Sequence, residues 1–515
     1  MSRLLACFEE DRSVAALQCK GGMCMSLLQA VDLTFEYEGS FTPVFDRVSF
    51  QIDTDWKLGL IGRNGKGKTT FLRILMGELE YGGQIIGRIP CDYFPFPVNN
   101  QERETWEVLW EVTEGEADTW QLQRELSKLQ VAEDALYRPF STLSKGEQTK
   151  VLLAALFLRA GHFLLIDEPT NHLDQEGRKL VSNYLNRKKG FILVSHDRAF
   201  LDGCVDHILA FNRTDIQVQR GNFSSWYENK ERQDAFEQAE NERLKKDMKR
   251  LETAAHQSAQ WADKVEGTKI GGIADRLHAN VGERSYIGEK SRRMQQRRKN
   301  LERRQKKAIE EKRQLLKNTE QPETLKLFPL KYHTDRILAL EGIQPYYEGA
   351  DQPVCQPVSI KLYQGQRILL KGGNGCGKTS LLKLVLEMAS GLKISYVSQD
   401  TSGLKGNLKE YAREYGVEEP LFLALLRKLD FSRDQFEIPM EHYSQGQKKK
   451  VLIARSLCER AHLYIWDEPL NFIDIYSRMQ IEELILQFQP TMLLVEHDAA
   501  FAKKVADQEI QVIRL

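Results

Sequence analysis

The sequence predicts an α/β protein in which two copies of one domain are joined by a long helical linker. Three observations predict this: motifs that recur at a fixed spacing, a strand, loop and helix pattern around each of two glycine-rich loops, and long stretches between the copies without glycine or proline. The 515 residues are enough for roughly two to four domains, and a hydrophobic content of 41% supplies a core for each.

The repeat is seen when the two halves of the chain are aligned by their motifs. GRNGKGKT at residues 62–69 recurs as GGNGCGKT at residues 372–379, and FEYEG at 35–39 recurs as PYYEG at 345–349, both 310 positions later. LSKGEQ at 143–148 and LIDEP at 165–169 recur as YSQGQK at 443–448 and IWDEP at 465–469, now 300 positions later. The sequence therefore predicts two homologous domains. The first has ten additional residues between its glycine-rich loop and LSKGEQ, which are too few for a separate subdomain.

Composition excludes several classes of protein. Lys and Arg number 73 and Asp and Glu number 73, so affinity for a polyanion must come from uneven placement of charge. No apolar run approaches the roughly 18 residues that cross a bilayer. Eight cysteines are scattered without a CxxC pair, which argues against a zinc or disulfide framework and favours the cytoplasm. Acidic residues in the opening segment argue against an export signal, and residues 1–24 are predicted to be an extension or to precede the natural start at Met25.

Both glycine-rich loops fit the pattern GxxxxGK[ST], in which backbone N–H groups converge on phosphates at the start of a helix. Each follows an apolar run, KLGLI or RILL, and precedes a helix-like segment. Lys68 and Lys378 are predicted to neutralise phosphate charge, and Thr69 and Thr379 to bind Mg²⁺. Two such loops in register leave little room for chance. The remaining predicted phosphate-binding residues are Gly62, Asn64, Gly65, Gly67, Thr70, Gly372, Asn374, Gly375, Gly377 and Ser380.

Paired acids end a buried strand in each domain. FLLIDE at residues 163–168 and LYIWDE at 463–468 are typical of parallel strands buried on both faces. Asp167 and Asp467 are predicted to hold Mg²⁺, and Glu168 and Glu468 to polarise the attacking water as general bases. An isolated apolar-Asp-Glu sequence is usually only a strand end, but here the phosphate loop lies upstream.

A histidine follows another apolar strand at matching places. His196 in VSHD and His497 in VEHD are predicted to contact the γ-phosphate. A single histidine is more often an ordinary core or surface residue, and the recurrence favours the functional interpretation.

These motif sets resemble the ABC ATPases, which are P-loop NTPases: Walker A, a signature, Walker B, a D-loop (Asp174, Asp474) and a switch histidine. The resemblance implies that the two cassettes of one chain pair head to tail and bind ATP with Mg²⁺. Ser444 and Gly446 would then complete the site of Lys68, and Ser144 and Gly146 that of Lys378. Tyr37 and Tyr347 match the aromatic residue that stacks on adenine.

Two departures from the family pattern bear on the sites: the first, in both signatures, concerns sensing of the γ-phosphate, and the second, in one cassette only, predicts that one site is slower. Both signatures lack the second glycine of SGG and have Lys145 or Gln445 instead. The Q-loop glutamine, a further Mg²⁺ residue by the resemblance, is Gln399 in the second cassette, whereas the first has Phe96.

The linker is predicted over residues 222–330, between cassettes at 25–221 and 331–515. Residues 222–266 and 289–321 contain neither Gly nor Pro, so two long helices are expected, each roughly 50 to 60 Å long at 1.5 Å per residue. Leu244, Met248, Leu251 and Ala255 step by four and three, and residues 294, 301, 308 and 315 by seven, which favours an antiparallel coiled-coil hairpin with its tip near 267–288.

Positive charge is concentrated in the second half of this linker. Residues 284–317 contain fourteen Lys or Arg against four Glu. A charge run is usually a solvated face, but in a chain of zero net charge this one indicates a phosphate backbone, and RNA is favoured over DNA.

Two cassettes, no membrane domain and a basic hairpin resemble the ABC-F proteins, which bind the ribosomal E site. Within that group LSKGEQTK, YFPF and EPLNFID resemble the antibiotic-resistance branch, nearest the Lsa type. The resemblance implies a monomer that meets the 50S subunit, 23S rRNA and P-site tRNA, and that dislodges lincosamides, pleuromutilins or group A streptogramins from the peptidyl-transferase centre. A housekeeping ABC-F translation factor is the main alternative, although such members carry an arm in the first cassette. A transporter ATPase subunit or a DNA-repair ATPase fits less well.

Overall fold

The computed structural model describes residues 27–38, 43–212, 216–269, 325–346 and 352–515, with positions 296, 303, 304 and 307. The chain divides into two compact units: Met1–Trp226 with Glu323–Leu515, and Tyr227–Pro322. The first unit contains both cassettes. The predicted extension at 1–24, Tyr347, most of the linker tip and nearly all of the basic run at 284–317 lie outside the described residues.

The first cassette is built on a sheet with the strand order β5-β6-β7-β3-β8-β9, in which only the β8–β9 pairing is antiparallel among the described strands. β6 and β7 carry the continuous apolar runs that burial on both faces requires. A second sheet has the order β2-β1-β4. The strands are β1 Leu27–Phe35, β2 Phe45–Asp53, β3 Lys57–Gly62, β4 Gly82–Ile86, β5 Cys91–Phe94, β6 Phe163–Asp167, β7 Phe191–Val194, β8 His207–Phe211 and β9 Ile216–Arg220.

The helices of the first cassette pack against these strands or form a helical region between β5 and β6. They are α1 Lys68–Met76, α2 Thr105–Val112, α3 Thr119–Lys128, α4 Lys145–Leu156, α5 Gln175–Asn186 and α6 Arg198–Cys204, with short 3₁₀ turns at Glu133–Tyr137 and Phe140–Thr142. Ser144 caps α4: its Oγ accepts from the backbone N–H of Glu147 at 3.2 Å, and the Glu147 carboxylate reaches back to the Ser144 N–H.

The second cassette repeats this architecture with a parallel sheet of order β13-β14-β15-β12-β16 and a β10–β11 pair. Its strands are β10 Arg336–Ile343, β11 Val358–Tyr363, β12 Arg367–Lys371, β13 Ile394–Val397, β14 Leu463–Asp467, β15 Met492–Val495 and β16 Gln508–Gln511. Its helices, numbered after the α7 of the next paragraph, are α8 Lys378–Met388, α9 Leu408–Glu414, α10 Glu419–Lys428, α11 Gln445–Cys458, α12 Ile475–Phe488 and α13 Ala499–Val505. The predicted α/β repeat is confirmed.

The first linker helix, α7, spans Phe223–Lys269. It was predicted to end before Gly267 and instead continues through it, because one glycine costs only about 1 kcal/mol in a helix interior. The second linker helix and the pairing of the two stay predictions. No helix among the described residues is long and apolar enough to span a membrane.

Candidate nucleotide sites

Each phosphate loop joins a central strand to a helix, as the motif requires. Gly67 and Gly377 are the residues before α1 and α8, with φ of +86° and +93°. A Cβ at Gly67 would come within 3.0 Å of the Val44 side chain, and one at Gly377 within 2.9 Å of Val354. Glycine is therefore needed at both positions for the backbone conformation and for space.

The lysine of each loop is folded onto the carbonyl oxygens of its own loop. Lys68 Nζ donates to Gly62 O at 2.6 Å and Arg63 O at 3.1 Å, and Lys378 Nζ donates to Gly372 O at 3.0 Å and to the next carbonyl at 2.8 Å. Burial lowers the pKa of Lys68, and nearby carboxylates oppose the shift. Each ammonium group is thus held at the centre of its loop, where phosphate oxygens can replace the carbonyl acceptors.

The first cavity, of about 820 Å³, is lined by residues from both cassettes. From the second cassette come Ser444, Gly446 and Phe472. Most of the predicted residues of the first cassette line it: Tyr37, Asn64, Gly65, Gly67, Lys68, Thr69, Thr70, Asp167, Glu168 and His196.

The two cassettes make close contact at this cavity. Asn64 Nδ2 donates to Phe472 O at 3.2 Å, and a Cβ at Gly446 would lie 3.2 Å from that same Asn64 Nδ2. Arg63 forms an ion pair of 2.5 Å with Asp430. The head-to-tail arrangement implied by the motifs is therefore present in the geometry of this cavity.

The second cavity, of about 350 Å³, is also shared between the cassettes. The first cassette supplies Lys145, Asn171, His172 and Leu173, and Asn374 Nδ2 donates to His172 O at 3.3 Å. Lys145 is thus the signature residue that faces the cavity, rather than the predicted Ser144 and Gly146 on either side of it. Predicted residues of the second cassette line the rest: Asn374, Gly375, Gly377, Lys378, Thr379, Ser380, Gln399, Glu468 and His497.

Glu168 follows the last residue of β6, with a partly buried side chain and charged neighbours that include Asp167 and Lys68. Its Oε1 lies 3.4 Å from His196 Nε2, and its backbone has a φ of +51°. Burial and the neighbouring Asp167 raise the pKa of Glu168 to about 8. Burial lowers the pKa of His196, and the charge of Lys68 adds to that shift. At neutral pH this pair therefore consists mainly of a protonated carboxyl group and a neutral imidazole.

Glu468 is surrounded by hydrogen-bond donors. Its Oε2 accepts from Gln399 Nε2 at 2.8 Å and from Asn471 Nδ2 at 2.7 Å, and its Oε1 lies 3.3 Å from His497 Nε2. Burial alone would raise the pKa of Glu468, but the hydrogen bond and charge of His497 and two lysines outweigh it and lower that pKa. The second carboxylate is ionised at neutral pH.

The residues predicted to hold Mg²⁺ fit a hard cation with oxygen ligands. Thr69 Oγ1 lies 3.3 Å from Asp167 Oδ2. Asp467 is fully buried, and neither of its carboxylate oxygens has a hydrogen-bond donor with acceptable geometry among the described residues. A bound cation or one of its waters would satisfy such oxygens. Burial raises the pKa of both aspartates.

Several contacts at the sites were not predicted from the sequence. The Tyr93 hydroxyl donates to Asp167 Oδ2 at 2.9 Å, and Asn471 contacts Glu468. Asn471 and Asn171 occupy equivalent positions of the repeat, 300 residues apart, and this recurrence is the sequence signal that could have identified Asn471 as a site residue. Lys450 forms a buried ion pair of 2.8 Å with Asp474. No motif distinguished that lysine from its neighbours.

The comparisons with known proteins agree with this geometry. The family model described as ABC transporter matches residues 45–171 and again 355–471. The chain is 27% identical to ribosome protection protein VmlR of Bacillus subtilis, over 92% of this chain and 85% of that protein. It is 26% identical to ATP-binding protein Uup of Caulobacter vibrioides, over 91% of this chain and 74% of that protein.

Among solved structures, the archaeal ribosome recycling factor aABCE1, in its complex with a stalk protein, matches with a TM-score of 0.57 at 18% identity, over 93% of this chain and 87% of that one. At this identity the match shows the fold alone, and that fold has the same tandem arrangement of cassettes. The two matched segments contain the phosphate loops, the signatures and the paired acids of both sites, and the chain therefore contains two ABC-type ATPase domains.

Proposed function

We propose that this protein is a ribosome-binding ATPase of the ABC-F kind that protects the ribosome from antibiotics acting at the peptidyl-transferase centre. The observation that carries the proposal is the similarity to a ribosome protection protein over 92% of the chain, linker included. The proposed drugs are lincosamides, pleuromutilins and group A streptogramins, and the proposed place of action is the E site of cytoplasmic ribosomes.

The nucleotide sites support an ATP-gated clamp. Because each cavity is lined by residues of both cassettes, ATP bound there would join the two halves of the chain, and hydrolysis would release them. In this mechanism Lys68 and Lys378 exchange their loop carbonyls for phosphate oxygens, and Tyr37 and Tyr347 receive the adenine. Ser444 and Gly446, which line the first cavity, approach the γ-phosphate from the opposite cassette. Ser144 and Gly146 are proposed to do so at the second cavity, which their neighbour Lys145 lines.

Hydrolysis is assigned to residues at the strand ends. Glu168 and Glu468 orient and deprotonate the attacking water, and His196 and His497 hold the γ-phosphate. Thr69, Asp167, Thr379, Asp467 and Gln399 are proposed to hold Mg²⁺, which when bound neutralises charge on the phosphates.

The linker supports a role at a distance from the ATP sites. α7 has 47 residues, about 70 Å at 1.5 Å per residue, which is far more than a tether between two domains requires. The basic run at residues 284–317 is suited to an RNA backbone. We propose that the tip near residues 267–288 acts on the drug's surroundings.

The test is translation in vitro inhibited by a lincosamide or a pleuromutilin. Intact protein should restore synthesis, whereas a variant with residues 268–281 replaced by a short Gly/Ser bridge should hydrolyse ATP and co-sediment with ribosomes but fail to restore it. Equal rescue by the variant would show that the tip is not the effector. Failure of the intact protein would favour the alternative, a housekeeping translation factor, which growth of a deletion strain across ribosomal antibiotics would then address.

A further inference from the structure

A buried lysine lies directly behind the paired acids of the second site. Lys449 is in the first turns of α11 and its side chain is almost inaccessible, with 2% of its surface exposed. Its Nζ donates to Ser398 O at 3.0 Å and Glu468 O at 3.1 Å, with a longer contact of 3.5 Å to Asp467 O. The ammonium group has three donors, and all three are directed at backbone carbonyls of the site.

These carbonyls belong to the two segments that carry the Gln399–Glu468 hydrogen bond. Ser398 immediately precedes Gln399, whose Nε2 donates to Glu468 Oε2 at 2.8 Å. The Glu468 backbone has an unusual φ of +46° and is tied on its other side by its N–H, which donates to Val495 O at 2.9 Å. The lysine therefore connects the backbones on both sides of that hydrogen bond.

The first site lacks this connection. The equivalent of Lys449 at the 300-residue offset is Thr149, whose Oγ1 donates to Lys145 O at 3.0 Å within its own helix. The Q-loop position of the same cassette is Phe96, which has no side-chain amide that could donate to Glu168. The lysine and the glutamine are thus present together in one site and replaced together in the other.

We propose that Lys449 is a positioning residue for hydrolysis at the second site, which fixes the Q-loop against Glu468 so that the carboxylate keeps one orientation toward the attacking water. Lys449 does not itself line the cavity and contacts only backbone carbonyls behind it, so it acts through Gln399 and Glu468. Burying an ammonium group is costly unless its donors are satisfied, so a lysine kept here by chance is a poor explanation. The inference rests on the proposed role of Glu468 as general base.

The experiment measures the second site alone, in protein carrying Glu168→Gln. In that background Lys449→Thr, which installs the residue that the first cassette has at this place, should lower kcat for ATP by about 10- to 100-fold, the range expected when a positioning contact is lost. KM for ATP should change little, because the lysine does not face the cavity. Lys383→Thr, the same change at an exposed helical position of the same cassette, should leave both constants unchanged.

The following outcomes would overturn the inference. An unchanged kcat means that the lysine does not position the base. A rise in KM that accounts for the whole loss of kcat/KM means that the lysine serves ATP binding. If Lys449→Thr lowers the thermal midpoint by more than about 5 °C, Lys449→Met, which fills a similar volume, is measured instead, and an unchanged kcat there has the same meaning. Glu468→Gln in the same background distinguishes failure of the proposed base from failure of the proposed positioning role. If Glu468→Gln retains turnover, Glu468 is not the base. If it abolishes turnover while Lys449→Thr does not lower kcat, only the positioning role of Lys449 is wrong.

Discussion

The two nucleotide sites share their motifs and differ in what surrounds them. In the first, Glu168 lies partly buried beside Asp167 and His196, and its pKa is raised to about 8. In the second, Glu468 accepts hydrogen bonds from Gln399 and Asn471, and its pKa is lowered. The motif thus specifies which groups meet, while residues outside it decide the protonation and orientation of the base. If the two carboxyl groups act as the proposed bases, the second site is the better prepared for hydrolysis.

The largest expected effect comes from removing both proposed bases. Glu168→Gln with Glu468→Gln keeps side-chain size and the Mg²⁺ residues, so ATP should bind while hydrolysis falls by about 10³-fold. The double variant should co-sediment with ribosomes in ATP and block translation. Of the single variants, Glu468→Gln should remove the larger share of turnover. Equal losses from the two would contradict the comparison, and rapid hydrolysis by the double variant would remove the assignment.

The signature glycines should also behave unequally. A Cβ at Gly446 would overlap the Phe472 carbonyl oxygen, whereas at Gly146 the nearest atom, His172 O, is 3.4 Å away. Phe472 belongs to the same cassette as Gly446, and its carbonyl oxygen accepts from Asn64 of the first cassette. Gly446→Ala should therefore shift this acceptor, weaken the contact between the cassettes and lower turnover at the first site by about 10²-fold. Gly146→Ala should cost less at the second site. Each is measured with the other site silenced by its Glu→Gln change, and the reverse order would show that the cavities close differently from the structure.

The pH dependence of each site should follow its own carboxyl group. With a pKa of about 8, Glu168 passes from roughly one-tenth ionised at pH 7 to roughly nine-tenths at pH 9. A base works only when ionised, so hydrolysis by the Glu468→Gln variant should rise about tenfold over this range. The Glu168→Gln variant relies on a carboxylate whose pKa is lowered, and its rate should stay flat. Parallel profiles would refute the difference.

The smallest effect concerns a pair of equivalent positions away from the sites. Glu125 is buried in α3 and accepts hydrogen bonds from Lys128, Lys188 and Tyr184, which overcome the burial penalty and lower its pKa to about 2. The second cassette has the buried Leu425 at the 300-residue offset. We expect Glu125→Ala to cost about 2 to 3 kcal/mol of unfolding free energy, and Glu125→Leu about 1 kcal/mol or less.

The sign of the pH effect follows from the lowered pKa. The contribution of Glu125 is fully present above its unfolded pKa, near 4.5, and is lost as the pH falls toward about 2. The difference in thermal midpoint between wild type and Glu125→Leu should therefore shrink on acidification. A difference that is constant between pH 7 and pH 3 would show that the hydrogen bonds contribute nothing.

The α/β repeat and the placing of the motif residues could be predicted because local chemistry determines them. Gly67, Lys68 and Glu168 belong to short patterns whose backbone requirements are contained within a few residues. The contacts that make the sites unequal join segments far apart in the chain, such as Lys449 with Ser398 and Arg63 with Asp430. Lys449 stands in a run of three lysines, which by pattern alone indicates a solvated face, and only tertiary packing distinguishes the buried Lys449 and Lys450 from Lys448.

Each cavity takes residues from both halves of a single polypeptide. In a homodimer of one cassette, every substitution would appear in both sites at once, and the sites could never become different. Joining two gene copies in one reading frame removes that symmetry. A change such as Phe96 for glutamine then alters one site and leaves the other intact. The tandem arrangement therefore allows selection to give the two nucleotide sites different rates of hydrolysis.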